Sequence, residues 1–200
     1  MGSNPAVTKG SNRPAEVVSY NDITGDNGFL DRLNKLTGGK EIIPPGLFFH
    51  LPTETEWEYA ARGGIHWKDN FHYSGSNDID TVGWYESNAG KITDIAILHQ
   101  LKNTQKGTET HDVGLKLPNQ LGIFDMSGNV WEWCQDYFQR DVYKIPIDGT
   151  ACREESADRV LRGGCHHNWA VHCTVYKRYE IGPAFKDGCI GFRMAASIKY

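Results

Sequence analysis

Residues that interrupt regular structure are spread through the whole chain, and their distribution limits the fold more than any other feature. The 200 residues include 22 glycines and 8 prolines, which together with asparagine and aspartate break nearly every apolar run. Such residues favour turns and irregular backbone over long helices or strands. The sequence therefore predicts short elements joined by much loop.

Composition and charge fit one globular domain. Apolar residues make up 39% of the chain and aromatic residues 12%, enough for a buried core. The net charge is −4 with both signs mixed along the chain, so we expect no nucleic-acid partner. No apolar run reaches membrane-spanning length, and the opening MGSNPAVTKG lacks the apolar stretch of a signal peptide. We expect no membrane insertion by this chain.

Two helices and six short strands are predicted. The first helix runs from about Asn21 to Lys35, where apolar residues recur at helical spacing. The second lies in LPTETEWEYAARGG, where Thr53 and Glu56 form a capping box and Gly63 ends the helix. Helices followed by a run of strands indicate an α+β class. The predicted strands are Gly46 to His50, Thr81 to Tyr85, Gly122 to Phe124, Val130 to Cys134, Arg159 to Arg162 and Gly191 to Ala195, and Lys91 to Pro118 is predicted as loop.

One predicted strand, in GIFDMSGNVWEWCQDYF, carries both tryptophans and a carboxylate. Trp131 and Trp133 point to one face, so Glu132 shares the opposite face with apolar neighbours. A carboxylate there needs a compensating partner. An ion pair with Arg162 or Arg193 is favoured. The alternative is calcium, for which Asp125, carbonyls of the following turn and Glu132 offer oxygen ligands.

Five cysteines occur at irregular spacings without a CxxC pair, and the odd number leaves at least one thiol outside any intramolecular disulfide. They are Cys134, Cys152, Cys165, Cys173 and Cys189. The segment CHHNWAVHC adds His166, His167 and His172, and could in principle assemble a transition-metal site. Its spacing matches no zinc pattern. Solvated loop histidines are the favoured interpretation.

Three segments together resemble the formylglycine-generating-enzyme, or sulfatase-modifying factor, family. They are LPTETEWEYAARGG, LGIFDMSGNVWEWCQDYF, and RVLRGGCHHNWAVHC followed by GFRMA. The resemblance implies one irregular C-type-lectin-like domain over residues 1–200, with two helices and short antiparallel strands. The opening resembles a family segment that follows additional strands, so we expect the chain to begin inside the domain. The resemblance also implies structural calcium at Asp125, Gly128, Val130 and Glu132.

The family's enzymes oxidise a substrate cysteine with a copper-binding pair of cysteines. The matching positions here are Asn168 and Cys173. An asparagine cannot replace a thiolate as a soft ligand for Cu(I). We therefore expect no copper and no catalysis of that kind. The alternative is a copper-dependent oxidase that uses Cys173.

Residues 162–193, the C-terminal segment, also resemble a second branch of the family, the variable proteins diversified by retroelements. Their frame is RGGSWxxxAxxCxVxxRxxxxPxxRxxxIGFR, from which Cys165 and His166 depart. Diversification there alters adenines, which implies that Trp169, Lys177 and Glu180 are fixed. The positions that an altered asparagine codon can reach are His166, His167, Asn168, Val171, His172, Thr174, Tyr176, Tyr179, Ile181, Ala184, Phe185, Asp187, Gly188 and Cys189.

This resemblance implies that the fourteen positions form an exposed ligand-binding surface and that the chain performs no chemistry. Tyrosine, histidine and asparagine on loops are typical of surfaces that recognise proteins. We therefore expect a macromolecular ligand, specifically a protein. We further expect a monomer at the cell surface or secreted.

Overall fold

The computed structural model describes residues 4–38, 40, 43–90 and 108–198, in which short elements are joined by loops. The helices are α1 (Tyr20–Thr24), α2 (Phe29–Thr37), α3 (Glu54–Ala61) and α4 (Ile79–Val82), with 3-10 helices at Gly64–Asp69, Val142–Lys144 and Ala170–His172. The strands are β1 (Leu47–His50), β2 (Gly83–Trp84), β3 (Ser127–Gly128), β4 (Trp131–Tyr137), β5 (Arg159–Arg162), β6 (Arg178–Ile181), β7 (Ile190–Gly191) and β8 (Ala195–Ile198). No helix in these ranges is long and apolar enough to span a bilayer.

A four-stranded sheet with the order β6-β5-β4-β7 lies at the centre, accompanied by the pairs β1–β8 and β2–β3. Strands β4, β5 and β6 pair antiparallel, as predicted, but β7 pairs parallel to β4, and β2 pairs parallel to β3. The expectation of antiparallel strands alone was therefore wrong. Long connections separate the members of both parallel pairs, which is the condition that parallel pairing requires.

Strand β4 separates two apolar clusters, because both of its faces are buried. Trp131 and Trp133 pack in one cluster, whereas Cys134 packs with Trp57 in the other. The buried Trp133 Nε1 donates to the Val18 carbonyl at 3.0 Å. The predicted alternation of side chains along this strand is confirmed.

Helix α3 begins and ends as predicted. Thr53 Oγ1 accepts the Glu56 N–H at 3.1 Å, and a Glu56 carboxylate oxygen accepts the Thr53 N–H at 2.8 Å. Gly63 follows the helix with φ +78°, a left-handed conformation that glycine adopts without steric cost. Trp57 and Ala61 are fully buried on the inner face.

The helix predicted from Asn21 to Lys35 is two helices. The Gly25 N–H bonds to the Asn21 carbonyl at 3.0 Å and ends α1, and Asn27 then adopts φ +57°. A left-handed residue cannot continue a right-handed helix. The apolar spacing runs across this break, which explains why the sequence indicated a continuous helix.

Three strand predictions also need correction. Gly122 to Phe124 follows a turn and forms no strand, because the Asn119 side-chain oxygen accepts the N–H groups of Leu121 and Ile123 at 3.0 and 3.1 Å. The predicted strand Thr81 to Tyr85 is reduced to β2 by helix α4, and the predicted strand Gly191 to Ala195 is divided between β7 and β8. Strand β6 was not predicted. Of the predicted loop, residues 108–118 are loop and turn, and residues 91–107 lie outside the described ranges.

Candidate functional site

A buried arginine at the end of β5, Arg162, anchors the C-terminal segment to the core. Arg162 is fully buried and pairs with Glu58 and, at 3.6 Å, with Glu54, both on α3. Its guanidinium also donates to the carbonyls of residues 175–177 at 2.9 to 3.2 Å. One side chain thus ties the backbone of the loop before β6 to the core helix.

Arg178, at the start of β6, makes a second anchor. It forms a bidentate pair with Glu54, with N–O distances of 2.5 and 2.8 Å, and donates to the Gln139 carbonyl at 2.7 Å. Bidentate arginine–carboxylate pairs fix orientation as well as charge. Arg162, Arg178 and Arg193 are hereafter the arginine frame.

Arg193 compensates Glu132, which settles the choice between the two predicted ion pairs. Its Nε lies 2.6 Å from Glu132 Oε2 and its Nη2 2.8 Å from Oε1. Trp57 Nε1 donates to the same Oε2 at 2.6 Å. Arg162 forms ion pairs with the glutamates of α3 instead.

The four residues expected to bind calcium fit a cation only in part. Asp125 has one buried oxygen that has no hydrogen-bond partner among the described residues, and burial raises the pKa of this carboxyl. Gly128 is the last residue of β3, and Val130 immediately precedes β4. Both oxygens of Glu132 are engaged, and Arg193 also donates to the Asp125 carbonyl at 3.2 Å. A cation here would compete with this guanidinium.

An open cavity of about 460 Å³ lies on the C-terminal segment. Strands β4 and β5 supply part of its wall through Trp131 and Leu161, and Lys177 and Ile190 also line it. Eight of the fourteen predicted ligand-binding positions line the same cavity, namely His167, Asn168, His172, Tyr179, Ile181, Phe185, Asp187 and Cys189. The wall residues from β4 and β5 were not predicted, because they lie far away in the chain.

Exposed apolar side chains occur along the same segment, and two of them, Tyr179 and Phe185, line the cavity. Val171, Tyr176, Tyr179 and Phe185 are 46 to 59% exposed. Trp169, which is expected to be fixed, is 62% exposed. Ala184 is also exposed. Exposed aromatic groups close together mark interaction surfaces more often than isolated ones do.

Four of the predicted ligand-binding positions are buried, so the expectation that they are exposed was wrong. His166 Nδ1 lies 2.9 Å from Thr108 Oγ1, and burial lowers the pKa of this imidazole to about 3. Thr174 is 3% exposed, and it lies beside carbonyls that Arg162 holds. Gly188 and Cys189 enter the core immediately before β7. These four residues belong to the core beneath the exposed residues of the segment.

The two positions that match the family's copper-binding cysteines, Asn168 and Cys173, both make contacts that hold the local fold. Cys173 is fully buried, and burial raises the pKa of its thiol well above the usual range. Gly164, at φ +74°, leaves room for it, since a Cβ there would lie 2.6 Å from Cys173 Sγ. The Asn168 side-chain oxygen accepts the Cys165 N–H at 3.1 Å and closes a turn.

All five cysteines are buried and outside disulfides. The five residues of CHHNWAVHC that could in principle assemble a metal site do not come together as one cluster. Instead Cys165 and His167 meet Cys189, and the three donor atoms lie within 4.8 Å of one another. Burial opposes ionisation of Cys165, but hydrogen bonds with Cys189 and His167 outweigh it and lower the pKa of Cys165, whereas burial raises the pKa of Cys189. These three residues are hereafter the thiol–imidazole cluster.

The fold and site define an α+β domain that presents a C-terminal loop surface on a buried arginine frame. The sequence matches the family model of the sulfatase-modifying factor enzyme 1-like domain over residues 1–198, and the chain belongs to that family. It is 31% identical over 198 residues to the formylglycine-generating enzyme of Streptomyces coelicolor, covering 97% of this chain and 56% of that protein. It is 37% identical over 161 residues to the chaperone protein LppX of Paenibacillus barcinonensis, covering 68% and 56% respectively. The chain thus spans about half the length of these relatives.

Solved structures of the same fold include variable protein 1 of Treponema denticola, with a TM-score of 0.74 and 27% identity over 100% of this chain and 79% of that one. PvdO from Pseudomonas aeruginosa has a TM-score of 0.71 and 25% identity over 96% and 64% of the two chains. These matches confirm the predicted C-type-lectin-like α+β fold. They also confirm the resemblance to formylglycine-generating-type domains and to variable proteins.

Proposed function

We propose that this chain is a ligand-binding domain of the variable-protein type, whose C-terminal segment displays residues diversified by a retroelement. One observation carries the proposal. The arginine frame fixes the backbone of the segment from the core, while ten of the fourteen predicted positions are exposed or partly exposed. These side chains can therefore change without removing a contact of the arginine frame.

The ligand class that this surface suits best is a protein. Tyr179 and Phe185 offer apolar contact area in the cavity, where His167 and Asn168 offer adaptable hydrogen bonds. The exposed Tyr176 adds apolar area elsewhere on the segment. Rigid aromatic anchors with small polar neighbours are the composition of many protein-binding loops. In this proposal the domain acts as a monomer at the cell surface or in the secreted state.

The DNA around the coding region tests the diversification. The proposal predicts a near-copy of the stretch encoding Arg162 to Arg193, next to a reverse-transcriptase gene and differing at template adenines. Codons for Trp169, Lys177 and Glu180 should be identical in both copies. A locus with no such copy would refute retroelement diversification.

The second candidate function is copper-dependent oxidation of a substrate cysteine, favoured by the 31% identity to the Streptomyces coelicolor enzyme. Against it stands Asn168, because an amide cannot replace a thiolate as a soft ligand for Cu(I). Incubation with copper and a cysteine-containing sulfatase peptide distinguishes the two. We expect no aldehyde product, and turnover that Cys173→Ser abolishes would establish the oxidase instead.

Structural calcium is a further part of the proposal, in which Asp125 supplies a buried oxygen to the ion. A chelator should then lower the melting temperature, and added calcium should restore it. The same scan with Asp125→Asn should show no response to the chelator. An unchanged melting temperature in the wild-type chain would leave Arg193 as the sole counter-charge of Glu132.

A further inference from the structure

The thiol–imidazole cluster brings together donors from two places that the sheet holds firmly. Cys165 follows β5 across the Gly163–Gly164 turn, and Cys189 precedes β7, where its carbonyl accepts the Trp131 N–H at 2.7 Å. Both thiols are buried, at 0 and 2% exposure. His167 is only partly buried and lines the cavity.

We propose that Cys165, His167 and Cys189 bind a zinc ion at the floor of the cavity. His167 Nδ1 lies 3.2 Å from Cys165 Sγ and 2.5 Å from Cys189 Sγ, between the two thiols. Tetrahedral zinc with ordinary Zn–S and Zn–N bonds needs donor separations of roughly 3.5 to 3.8 Å. The first separation is close to this range, and the second reaches it when the partly exposed His167 ring moves outward by about 1 Å.

Charge balance favours zinc over the other thiophilic ions. Two thiolates and a neutral imidazole around Zn²⁺ form a neutral unit, whereas Cu⁺ would leave a net negative charge in a buried place. Binding releases two thiol protons to solvent and involves no redox change. Three protein ligands facing a cavity leave the fourth position open to water or to a ligand group.

The zinc site shares His167 and Cys189 with the fourteen predicted ligand-binding positions, and it differs from the positions that match the family's copper pair. Asn168 and Cys173 are not among the three donors. Asn168 Oδ1 lies 3.1 Å from Cys165 Sγ, and His166 Nε2 lies 3.3 Å from Cys189 Sγ.

The test uses the full chain, isolated under reducing conditions without chelator, and begins with elemental analysis. We expect about one zinc per chain. The metal-free protein should bind one equivalent of Co²⁺ with a thiolate charge-transfer band, and Zn²⁺ should abolish that band. Cys165→Ser and Cys189→Ser should each weaken the band, and His167→Gln should lower affinity by at least about tenfold. Cys152→Ser and exposed His66→Gln are matched controls that should bind like wild type.

A measurement on the wild-type chain keeps the proposal testable if the variants fail to fold. Zinc should protect Cys165 and Cys189 from alkylation, as identified by peptide mass spectrometry, and should leave the labelling of Cys152 unaffected. The proposal is overturned if Co²⁺ binding survives loss of both thiols, or if a second preparation made without reductant contains a Cys165–Cys189 disulfide. Uptake of Cu⁺ without uptake of Zn²⁺ also overturns it.

Discussion

Three arginines hold the loops of this domain, and each pairs with a specific glutamate. Arg162 lies between the two glutamates of α3, and Arg193 covers Glu132. Removing one member of such a group leaves the remaining charge in a poorly solvating environment, which costs more than the pair itself contributes. The stability of the C-terminal segment therefore depends on few residues.

Arg162→Leu should lower the free energy of unfolding by about 3 to 5 kcal/mol, because Glu54 and Glu58 lose a buried partner. Three carbonyls of residues 175–177 also lose their donor. Urea unfolding measures the change. The matched control is Arg62→Leu, which breaks a half-exposed pair with Glu58 and should cost about 1 kcal/mol or less. Equal losses in the two variants would contradict the anchoring role.

Glu16 makes stability depend on pH. It is 1% exposed, accepts the Thr8 N–H at 3.0 Å, and burial raises its pKa from 4.5 to about 7. Below pH 4.5 both folded and unfolded chains carry the proton. Between pH 4.5 and 7 the unfolded chain releases it first, so this residue's contribution to stability falls as pH rises, and the loss is complete above pH 7.

Glu16→Gln removes this dependence, since an amide carries no charge to bury. The variant should exceed wild type by up to about 3 kcal/mol in unfolding free energy at pH 8 and match it near pH 4.5. Denaturant melts at the two pH values provide the comparison. A difference between variant and wild type that stays constant with pH would show that Glu16 is ionised in the folded chain.

At the level of elements, predictions from the sequence succeeded where the local signal was complete. The capping box of α3 lies within four residues, and the alternation of β4 lies within a single strand. They failed where distant side chains decide. The amides of Leu121 and Ile123 bond to a side chain instead of a strand. Strand β6 alternates charged and apolar residues, a signal that could have identified it.

The turn after β5 should tolerate no side chain at Gly164. This residue has φ +74°, and a Cβ would lie 2.6 Å from Cys173 Sγ and 2.7 Å from a main-chain carbonyl. Gly164→Ala therefore combines an unfavourable φ with a steric clash, at a cost of about 2 to 5 kcal/mol. Gly122→Ala is the control, since it has φ +75° with open space around it. It should cost only about 1 to 2 kcal/mol. Equal melting temperatures of the two variants would disprove close packing against Cys173.

For the whole molecule, the first and last residues of the candidate site were predictable from sequence, but which of its side chains are buried was not. The frame resemblance located residues 162–193, yet codon arguments carry no information on burial, and four of the fourteen positions lie inside. Cys165 and Cys189 meet only because β5 and β7 flank β4 in one sheet. Convergence of this kind follows from sheet order, which local pattern does not specify.

The central claim is that the C-terminal segment varies at its surface without losing the fold, and cell-surface display of two libraries measures this directly. One library randomises the exposed Val171, Tyr176, Ala184 and Phe185, and the other randomises the buried His166, Thr174, Gly188 and Cys189. We expect most members of the first library to be displayed at the wild-type level and most of the second to be lost. Equal loss of display in the two libraries would contradict the account.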